Sequence, residues 1–474
     1  MNLRDSVLKL FSGSIVLALV EFAAIAAFTQ TLGTGPMGSF FVFQAVVGML
    51  GIPVDLGISR AAEKHLAADA PQGEVIATAI AVKTLLMLPW VLGLVAAGPF
   101  VEQYIGVGGV VPLVVLGLFA AQGRGLVLRL LAGQHRVDQN ALLKVLGKLT
   151  WVASGAALVS LGWAAKAMIV AYILGRGMTI AGALVRLDLV VGVPTVERAR
   201  ALVDFGRYVF VGNIGGFVYQ WMDVAILRLF VPVSLIGAYE VAWRVASVAM
   251  MLTEAIRTAL FPKVSQWHER QEFEAIESAF EEWLQIPLYL TIPALAGGIV
   301  LGKTVLGTLF GADVIVAYPV LVIFMVEKIF RSVQLVLGPS LFAMDKPNLG
   351  YRGSIAAIVT NLALNVALVP TFGIIGAAVA TTVSAGTAAI IAINYVTRFV
   401  EITVPWRRIA WCVGSATVMA AVVATLRPAI PAGVPRVAVG VSAGVAVYLT
   451  LLLAHDGIRL EMRGAIEDIS GSLS

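Results

Sequence analysis

The sequence predicts an all-α, polytopic membrane protein of about fourteen transmembrane helices, and two observations carry this prediction. Hydrophobic residues make up 59% of the chain and charged residues only 13%, whereas charged residues make up about 25% of a soluble protein. Apolar runs of about 20 residues, the length that crosses a bilayer as a helix, recur along the whole chain. The formal net charge of +5 is too small on 474 residues to indicate a nucleic-acid-binding protein.

The predicted spans follow one another along the chain from residue 10 to residue 454. They cover residues 10–32, 37–58, 75–98, 109–131, 149–161, 167–186, 208–230, 237–256, 283–301, 316–340, 354–370, 375–397, 409–426 and 437–454. The fifth run is short and is expected to start near Leu142. The first run carries Glu21 and leads directly into a second span, so we interpret it as a retained helix rather than a signal peptide.

Lysine and arginine are distributed unequally between the connections on the two sides of the membrane. The side of the N-terminus holds 22 of them and the opposite side holds 5. Because cytoplasmic connections carry the excess of positive charge, a multi-pass protein of the cell membrane with both termini in the cytoplasm is predicted. The outer connections are short, so no second, extracytoplasmic domain is expected.

The longest cytoplasmic connection, residues 263–282, has an amphipathic pattern. Phe273, Ile276, Phe280 and Trp283 recur at spacings of three and four residues. This spacing is typical of a helix lying on the inner membrane surface. A cytoplasmic extension of the ninth span is the alternative interpretation.

An internal repeat divides the chain into two similar halves. A shift of 199 residues places Gly38, Val42 and Val46 on Gly237, Val241 and Val245, Asp55 on Glu254, and Lys64 on Lys263. Two six-helix lobes with the same orientation, related by a pseudo-twofold axis along the membrane normal, are therefore predicted. The predicted divisions are 1–204 (spans one to six), 205–400 (spans seven to twelve) and 401–474 (the last two spans and a cytoplasmic tail). This architecture is typical of an alternating-access transporter.

Charged residues inside the predicted spans indicate where such a transporter would act. The basic ones are Lys83, Arg124, Arg176, Arg244, Lys328 and Arg331, and the acidic ones are Glu21, Asp223, Glu240 and Glu327. Six lipid-facing cations would cost on the order of 15 to 20 kcal/mol, so we expect these side chains to face protein or a water-filled cavity. Lys83 is interpreted as reaching the cytoplasmic surface by snorkelling.

The basic residues other than Lys83 are predicted to bind an anionic headgroup, because arginine forks suit phosphate oxygens. These candidates are Arg124, Arg176, Arg244, Lys328 and Arg331. The acidic residues Glu21, Asp223, Glu240 and Glu327 are candidates for holding a coupling proton or sodium ion. Glu240 precedes Arg244, and Glu327 precedes Arg331, by four residues, so each pair could instead be neutral packing within the bundle. Arg124 and Arg176 stand in Gly-Arg-Gly sequences, in which the glycines could clear space or allow close helix packing.

Neither a metal site nor a cofactor is expected. The single cysteine, Cys412, rules out a disulfide within the chain and is interpreted as an inert buried thiol. The four histidines show no metal-ligand spacing. The expected partners are membrane lipids, the transported substrate and a coupling H⁺ or Na⁺, and the protein is expected to be a monomer.

Four stretches of the sequence are distinctive: Gly35–Gln44, Phe310–Leu321, the helix with Asn361 and Asn365, and Phe372–Ser384. Together with the six-plus-six-plus-two arrangement, they resemble the polysaccharide flippases of the multidrug/oligosaccharidyl-lipid/polysaccharide exporter superfamily. The resemblance covers essentially the whole chain. The resemblance implies flipping of an oligosaccharide linked to a polyprenyl or dolichyl phosphate, from the cytoplasmic to the outer leaflet, without catalysis of a reaction.

The resemblance also implies where the substrate would lie. In that family, spans one, two, seven and eight line the cavity, which places Glu21, Asp223, Glu240 and Arg244 along it. The two additional C-terminal helices imply a groove for the lipid tail at residues 410–426 and 437–453. Glu21 has no arginine beside it, so the acidic-arginine signature of lipid II flippases is missing from the first span, which argues against a peptidoglycan precursor.

Two alternatives are weighed against a lipid-linked glycan flippase. A cation-coupled multidrug antiporter of the same superfamily is the nearer one, although fourteen spans and an excess of interior arginine argue against it. A membrane polysaccharide polymerase or ligase would need a large extracytoplasmic loop with catalytic residues, and the short outer connections disfavour it.

Overall fold

The structure is a computed structural model that describes residues 3–68 and 70–459, and within these ranges it is helical without β-strands. Side chains are not described for residues 3–17 and for several residues between 208 and 218. Arg4, Lys9 and Arg463, three of the 22 basic residues counted on the side of the N-terminus, therefore lie outside the described side chains.

The described residues form α-helices joined by short connections and three short segments of 3₁₀-helix. The helices are α1 (Leu3–Leu32), α2 (Thr34–Asp55), α3 (Ile58–Ala67), α4 (Gln72–Ala96), α5 (Gly98–Ile105), α6 (Val111–Gly133), α7 (Gln139–Ser160), α8 (Ala164–Leu184), α9 (Val196–Phe230), α10 (Val233–Ser247), α11 (Met251–Glu269), α12 (Phe273–Trp283), α13 (Gln285–Phe310), α14 (Tyr318–Ala343), α15 (Pro347–Val396), α16 (Trp406–Leu426) and α17 (Val434–Leu453).

All fourteen predicted spans coincide with helices, which confirms the all-α membrane fold. Among the described residues, ten helical stretches are long and apolar enough to cross a bilayer. The eleventh and twelfth predicted spans form one helix, α15, that is interrupted at Gly373, whose φ of 53° lies in the left-handed region. The fifth span begins at Gln139, so Lys144 and Lys148 lie within a helix rather than in a cytoplasmic connection.

The chain divides into two compact units. Residues Thr31–Gly237 form one, and residues Met1–Gln30 with Ala238–Ser474 form the other. The first unit has a buried core made chiefly by α3, α4 and α6. In the second unit, α11, α12, α14 and α15 bury one apolar cluster, and α13, α16 and α17 bury another. The divisions at 204 and 400 remain predictions from the repeat.

The amphipathic connection forms helix α12, whose apolar face packs against protein. Only Leu284, which has helical dihedral angles, separates α12 from α13, as the alternative of a cytoplasmic extension of the ninth span predicts. Ile276 and Phe280 are fully buried and Trp283 is 6% exposed, and all three belong to the cluster that contains Leu337 and Val396. Its acidic residues lie on the exposed face. The interpretation that this helix rests on the lipid surface is therefore wrong for its main apolar face, because the ends of α14 and α15 cover that face.

Two glycines that the 199-residue shift superposes lie against each other in the first unit. A Cβ on Gly38 would lie 1.8 Å from the Val233 carbonyl oxygen, and a Cβ on Gly237 would lie 2.1 Å from the Thr34 carbonyl oxygen. The 199-residue shift places Thr34 on Val233 and Gly38 on Gly237, so each of the two contacts is the repeat equivalent of the other. This reciprocal contact gives the repeat a structural basis independent of the sequence matches.

This close approach makes a sharp prediction for Gly38. A Gly38→Ala substitution drives a methyl group into the backbone of α10, and we expect a loss of about 3 kcal/mol in unfolding free energy, at the upper end for overpacking. Gly35→Ala is the matched control, since nothing lies within 4 Å of a Cβ at Gly35 in the same helix. Thermal unfolding of the detergent-solubilised variants measures both, and equal midpoints would contradict the close packing.

Candidate functional site

An apolar cavity lies within the second unit. Its volume is about 820 Å³. Residues of α13, α16 and α17 form most of its walls, including Gly297, Met419, Val423, Gly440, Val441, Gly444, Val445 and Tyr448. Leu19 of α1 and Met325 of α14 also line it. The two C-terminal helices, where the family resemblance implies a groove for a lipid tail, thus form part of the cavity wall.

Small residues and one polar group shape this groove. A Cβ on Gly440 would lie 3.2 Å from the Leu301 side chain, so the glycine lets α17 approach α13 closely. The Tyr448 hydroxyl donates to the Tyr289 carbonyl oxygen at 2.8 Å and lies 3.1 Å from Cys412 Sγ. Because the hydroxyl is satisfied by protein, the wall that Tyr448 presents to the groove is apolar, as a hydrocarbon chain requires.

A charged cluster in the same unit contains four of the predicted residues. Arg244 pairs with Glu240, which confirms the predicted four-residue ion pair. Lys328 pairs with its neighbour Glu327 at 2.7 Å, and both side chains are at most 2% exposed. Lys328 Nζ also lies 5.3 Å from the centroid of the Trp243 ring, next to Arg244.

The other three candidate site residues, Arg331, Glu21 and Asp223, lie in separate environments. Arg331 donates to Gln334 Oε1 at 2.8 Å on α14. Glu21 is half-buried on α1, one residue before Phe22, whose ring packs edge-on against Phe310 at 5.2 Å. In the first unit, Asp223 on α9 is 9% exposed. The suggested coupling roles of Glu21, Asp223, Glu240 and Glu327 remain predictions.

A basic cluster in the first unit unites Arg124 and Arg176. Helices α6 and α8 pack closely beside the two arginines. A Cβ on Gly123, which precedes Arg124, would lie 3.0 Å from Cδ1 of Ile180, which is one turn after Arg176. The two guanidinium groups are close enough to interact electrostatically. Lys144 of α7 is exposed and lies within electrostatic range of Arg124. Three neighbouring helices thus each contribute one cation.

An aromatic group supports the Arg176 guanidinium. Arg176 Cζ lies 4.0 Å from the centroid of the Tyr172 ring. The Tyr172 ring in turn packs edge-on against Phe43 at 5.5 Å and against Phe40 at 6.2 Å, both from α2. A cation over an aromatic face is stabilised without losing its charge. The contacts therefore fix the position of Arg176 without neutralising its charge.

The glycines beside the two arginines serve both purposes that the sequence left open. A Cβ on Gly123 would meet α8 at 3.0 Å, and a Cβ on Gly175 would lie 2.6 Å from the Gly147 carbonyl oxygen. By contrast, nothing lies within 4 Å of a Cβ at Gly125 or Gly177. The first glycine of each Gly-Arg-Gly motif therefore packs helices together, and the second borders open space beside the arginine.

The cluster lacks compensating negative charge in the part of the chain that the structure describes. Neither arginine nor Lys144 forms an ion pair with a described carboxylate within 4.0 Å. The buried Nε of Arg176 has no hydrogen-bond partner there either. Each uncompensated cation inside a membrane costs about 2.5 to 3.5 kcal/mol on insertion scales. The arrangement is therefore suited to an anion that can enter and leave.

Comparison with known proteins identifies the family to which the chain belongs. The family model described as "Polysaccharide biosynthesis protein" matches residues 35–318. The "Probable low-salt glycan biosynthesis flippase Agl15" of Haloferax volcanii is 35% identical over 460 residues, which are 97% of this chain and 97% of that protein. The chain belongs to the polysaccharide biosynthesis flippase family.

Other comparisons agree with this family and its fold. The "Probable flippase AglR" of Haloferax volcanii is 31% identical over 89% of this chain and 90% of its own length. The family model "Lipid II flippase MurJ" matches residues 211–436, which excludes the span with Glu21. The solved structure "Lipid II flippase MurJ, inward closed conformation" has a TM-score of 0.81 at 14% identity and covers 94% of this chain and 98% of that chain.

The fold is also shared with multidrug transporters. An inward-facing multidrug resistance MATE family transporter of the MOP superfamily has a TM-score of 0.66 at 14% identity, over 80% of this chain and 93% of that chain. At such low identity the likeness concerns the fold alone. The flippase and the multidrug antiporter considered from the sequence therefore share an architecture, and side-chain chemistry must separate them.

The first unit of this flippase also contains an ionic network that the sequence analysis did not predict. Lys83 of α4 is 4% exposed, and its Nζ lies 2.7 Å from Asp55 Oδ1, 2.8 Å from Ser59 Oγ and 3.3 Å from the Gln122 carbonyl oxygen. The Ser59 hydroxyl also donates to Asp55. The interpretation that Lys83 snorkels to the surface is wrong, because all three of its N–H donors are used inside the protein.

Proposed function

We propose that this protein moves a lipid-linked oligosaccharide, carried on a polyprenyl or dolichyl phosphate, from the cytoplasmic to the outer leaflet by alternating access. The observation that carries the proposal is the cluster of Arg124, Arg176 and Lys144, three cations without a described counter-ion. Planar guanidinium forks bind phosphate oxygens bidentately, and a phosphate is common to all lipid-linked glycans of this kind.

The apolar groove supports the same class of substrate. A lipid-linked glycan has a hydrocarbon tail that must remain in an apolar environment while its headgroup crosses. The groove on α13, α16 and α17 offers about 820 Å³ of such space. A substrate with a phosphate for the basic cluster and a long tail for the groove would use both features of the chain.

Orientation, coupling and partners complete the proposal. Both termini lie in the cytoplasm, as the distribution of lysine and arginine predicts. Glu21, Asp223 and Glu240 hold a coupling proton or sodium ion, and Arg244 takes part in the headgroup site when Glu240 releases it. Lys328, Arg331 and Glu327 are further candidates for these two roles. The protein acts as a monomer among membrane lipids and catalyses no covalent reaction.

A cation-coupled multidrug antiporter is the second candidate, because the fold is shared with MATE transporters. The charge of the first unit argues against it. A cationic drug would be repelled by Arg124, Arg176 and Lys144, whereas a lipid phosphate would be attracted. The two candidates therefore predict opposite charge preferences at the same cluster.

Reconstitution into proteoliposomes tests the proposal. We expect the protein to move a fluorescent polyprenyl-diphosphate oligosaccharide between leaflets, measured by loss of fluorescence to a membrane-impermeant reductant. A polyprenyl glycoside that lacks phosphate is the matched control and should move much more slowly. Transport of an organic cation in place of the lipid-linked glycan would favour the antiporter and overturn the proposal.

The groove gives a second prediction, at Gly297. A Gly297→Leu substitution places a branched side chain in open space along the groove, since nothing lies within 4 Å of a Cβ at this position. We expect transport of a long-chain substrate to fall about tenfold while a short-chain analogue is little affected. The readout is the same leaflet assay run with both tail lengths.

Gly414→Leu on α16 is the control for this substitution. Its Cβ position is equally open, but Gly414 does not line the groove. Both variants should unfold at or above the wild-type temperature, because leucine is a better helix former than glycine. If Gly297→Leu slowed the short-chain and long-chain substrates equally, the groove would not be the tail site.

A further inference from the structure

The connection between α8 and α9, residues 185–195, presents apolar side chains that the described residues leave uncovered. Val191 is 99% exposed, Val185 87% and Val193 75%. Leu189 and Val190 are each more than half exposed. Singly exposed apolar residues are ordinary on any protein, but a contiguous set of this kind marks an interaction surface.

The backbone of this connection is nevertheless held firmly. The Asp188 backbone N–H donates to Gln134 Oε1 at 3.2 Å, and Gln134 Nε2 donates to the Asp188 carbonyl oxygen at 3.1 Å. The Asp188 carboxylate also pairs with Arg136 at 2.6 Å. Thr195 donates its hydroxyl to Glu74 at 2.5 Å and its N–H to Thr78 at 3.2 Å. Because both ends are fixed to the first unit, the apolar side chains form a surface of defined position.

The middle of the connection is also fixed. A Cβ on Gly192 would lie 2.1 Å from the Gly73 carbonyl carbon, so the two backbones are in direct contact. Gly73 lies in the first turn of α4, a helix that is long and apolar enough to cross the bilayer. Helix α8, which ends one residue before Val185, is another such helix. The connection therefore lies at the level where membrane-crossing helices begin and end.

Charges around the connection complement an anionic surface. Arg186 lies within it, and the exposed Arg200 follows in the first turns of α9. The neighbouring acids are engaged within the protein, because Asp188 pairs with Arg136, and Glu74 accepts from Thr195 and pairs with Arg198. Apolar side chains flanked by arginines are the pattern of segments that insert into the headgroup region of anionic bilayers.

We propose that residues 185–195 insert into the cytoplasmic leaflet as an interfacial anchor, with valine and leucine side chains among the acyl chains and the flanking arginines at lipid phosphates. This anchor goes beyond the proposed function, because it depends on the bilayer and not on the transported cargo. It fixes the depth of the first turns of α4 and α9 relative to the lipid headgroups.

Site-directed fluorescence tests the anchor on the full-length protein without cargo. A Cys412→Ser background keeps the contact with Tyr448, and a Val191→Cys substitution then carries an NBD label. Glu274→Cys on the exposed face of α12 carries the control label. Both proteins are reconstituted into vesicles of phosphatidylcholine and phosphatidylglycerol, with nitroxide-labelled lipids or with aqueous iodide as the quencher.

We expect nitroxide lipids to quench the label at position 191 at least twofold more than the label at position 274, and iodide to show the reverse order. Equal iodide quenching at both positions would overturn the proposal, because the surface would face water. Shielding of position 191 from both quenchers would also overturn it, because a second copy of the chain would then cover the surface. None of these outcomes depends on whether a lipid-linked glycan is flipped.

Discussion

Replacing Arg124 or Arg176 with glutamine is expected to reduce transport of a lipid-linked oligosaccharide by roughly tenfold to a hundredfold. Each substitution removes a charge-assisted hydrogen-bonding group, which is worth about 1.5 to 3 kcal/mol, and about 1.4 kcal/mol corresponds to a factor of ten. The double variant should lose nearly all activity. Initial rates in the leaflet assay, taken over a range of substrate concentrations, measure the effect.

Two further variants make this experiment decisive. Arg176→Lys keeps the charge but loses the planar fork over Tyr172, so we expect partial activity. Arg257→Gln removes an exposed arginine, which pairs with Glu254 and lies outside the proposed site, and it should leave transport unchanged. Wild-type rates for the Arg124→Gln/Arg176→Gln double variant would show that the cluster binds no substrate.

Replacing Lys83 with methionine is expected to destabilise the protein by about 3 kcal/mol. The substitution leaves the Asp55 carboxylate, whose side chain is 29% exposed, without its cationic partner. Removal of one partner from a buried ion pair typically costs about 3 to 5 kcal/mol, because the remaining charge is left uncompensated. The unfolding midpoint of the detergent-solubilised variant should fall clearly below that of the wild type.

The double variant Lys83→Met/Asp55→Asn separates the ion pair from simple packing. Because asparagine can still accept from Ser59 and carries no charge, much of the lost stability should return. Neither substitution touches the proposed headgroup cluster, so the leaflet assay on the double variant should stay near wild type. An unfolding midpoint as low in the double variant as in Lys83→Met would contradict the explanation.

The sequence alone predicted the helical spans because their signal is local. A membrane helix must satisfy its own backbone and be apolar over its length, and both conditions can be read from about twenty consecutive residues. The interruption at Gly373 was predicted for the same reason, since the apolar runs 354–370 and 375–397 are separated there. The start of α7 was also predicted near its observed position, at Leu142 against Gln139.

Partners of charged residues were predicted only where they lie on one helix. Glu240 and Arg244 are four residues apart, so the helical geometry fixes their meeting. Lys83 and Asp55 are 28 residues apart and meet only because α2 and α4 pack together. A signal was present nonetheless: Asp55 lies inside the predicted span 37–58 and could have been counted among the membrane charges.

The convergence of Arg124, Arg176 and Lys144 shows the same limit. The sequence marked both arginines as costly membrane charges, but it did not show that α6 and α8 bring them together. Lys144 was one of the 22 basic residues counted in connections on the side of the N-terminus, although a fifth span starting near Leu142 would already include it. Helix packing, set by Gly123 against Ile180 and by Gly147 against Gly175, supplies what periodicity could not.

The reciprocal contact at Gly38 and Gly237 has a consequence for how such a chain could have originated. Gly38 contacts Val233, which is the repeat equivalent of Thr34, and Gly237, the repeat equivalent of Gly38, contacts Thr34. Such a reciprocal pair of contacts is the pattern of an isologous dimer interface. A single six-span ancestor could have made this contact with an identical partner in the same bilayer. Gene fusion would then have joined two protomers whose self-complementary seam was already formed.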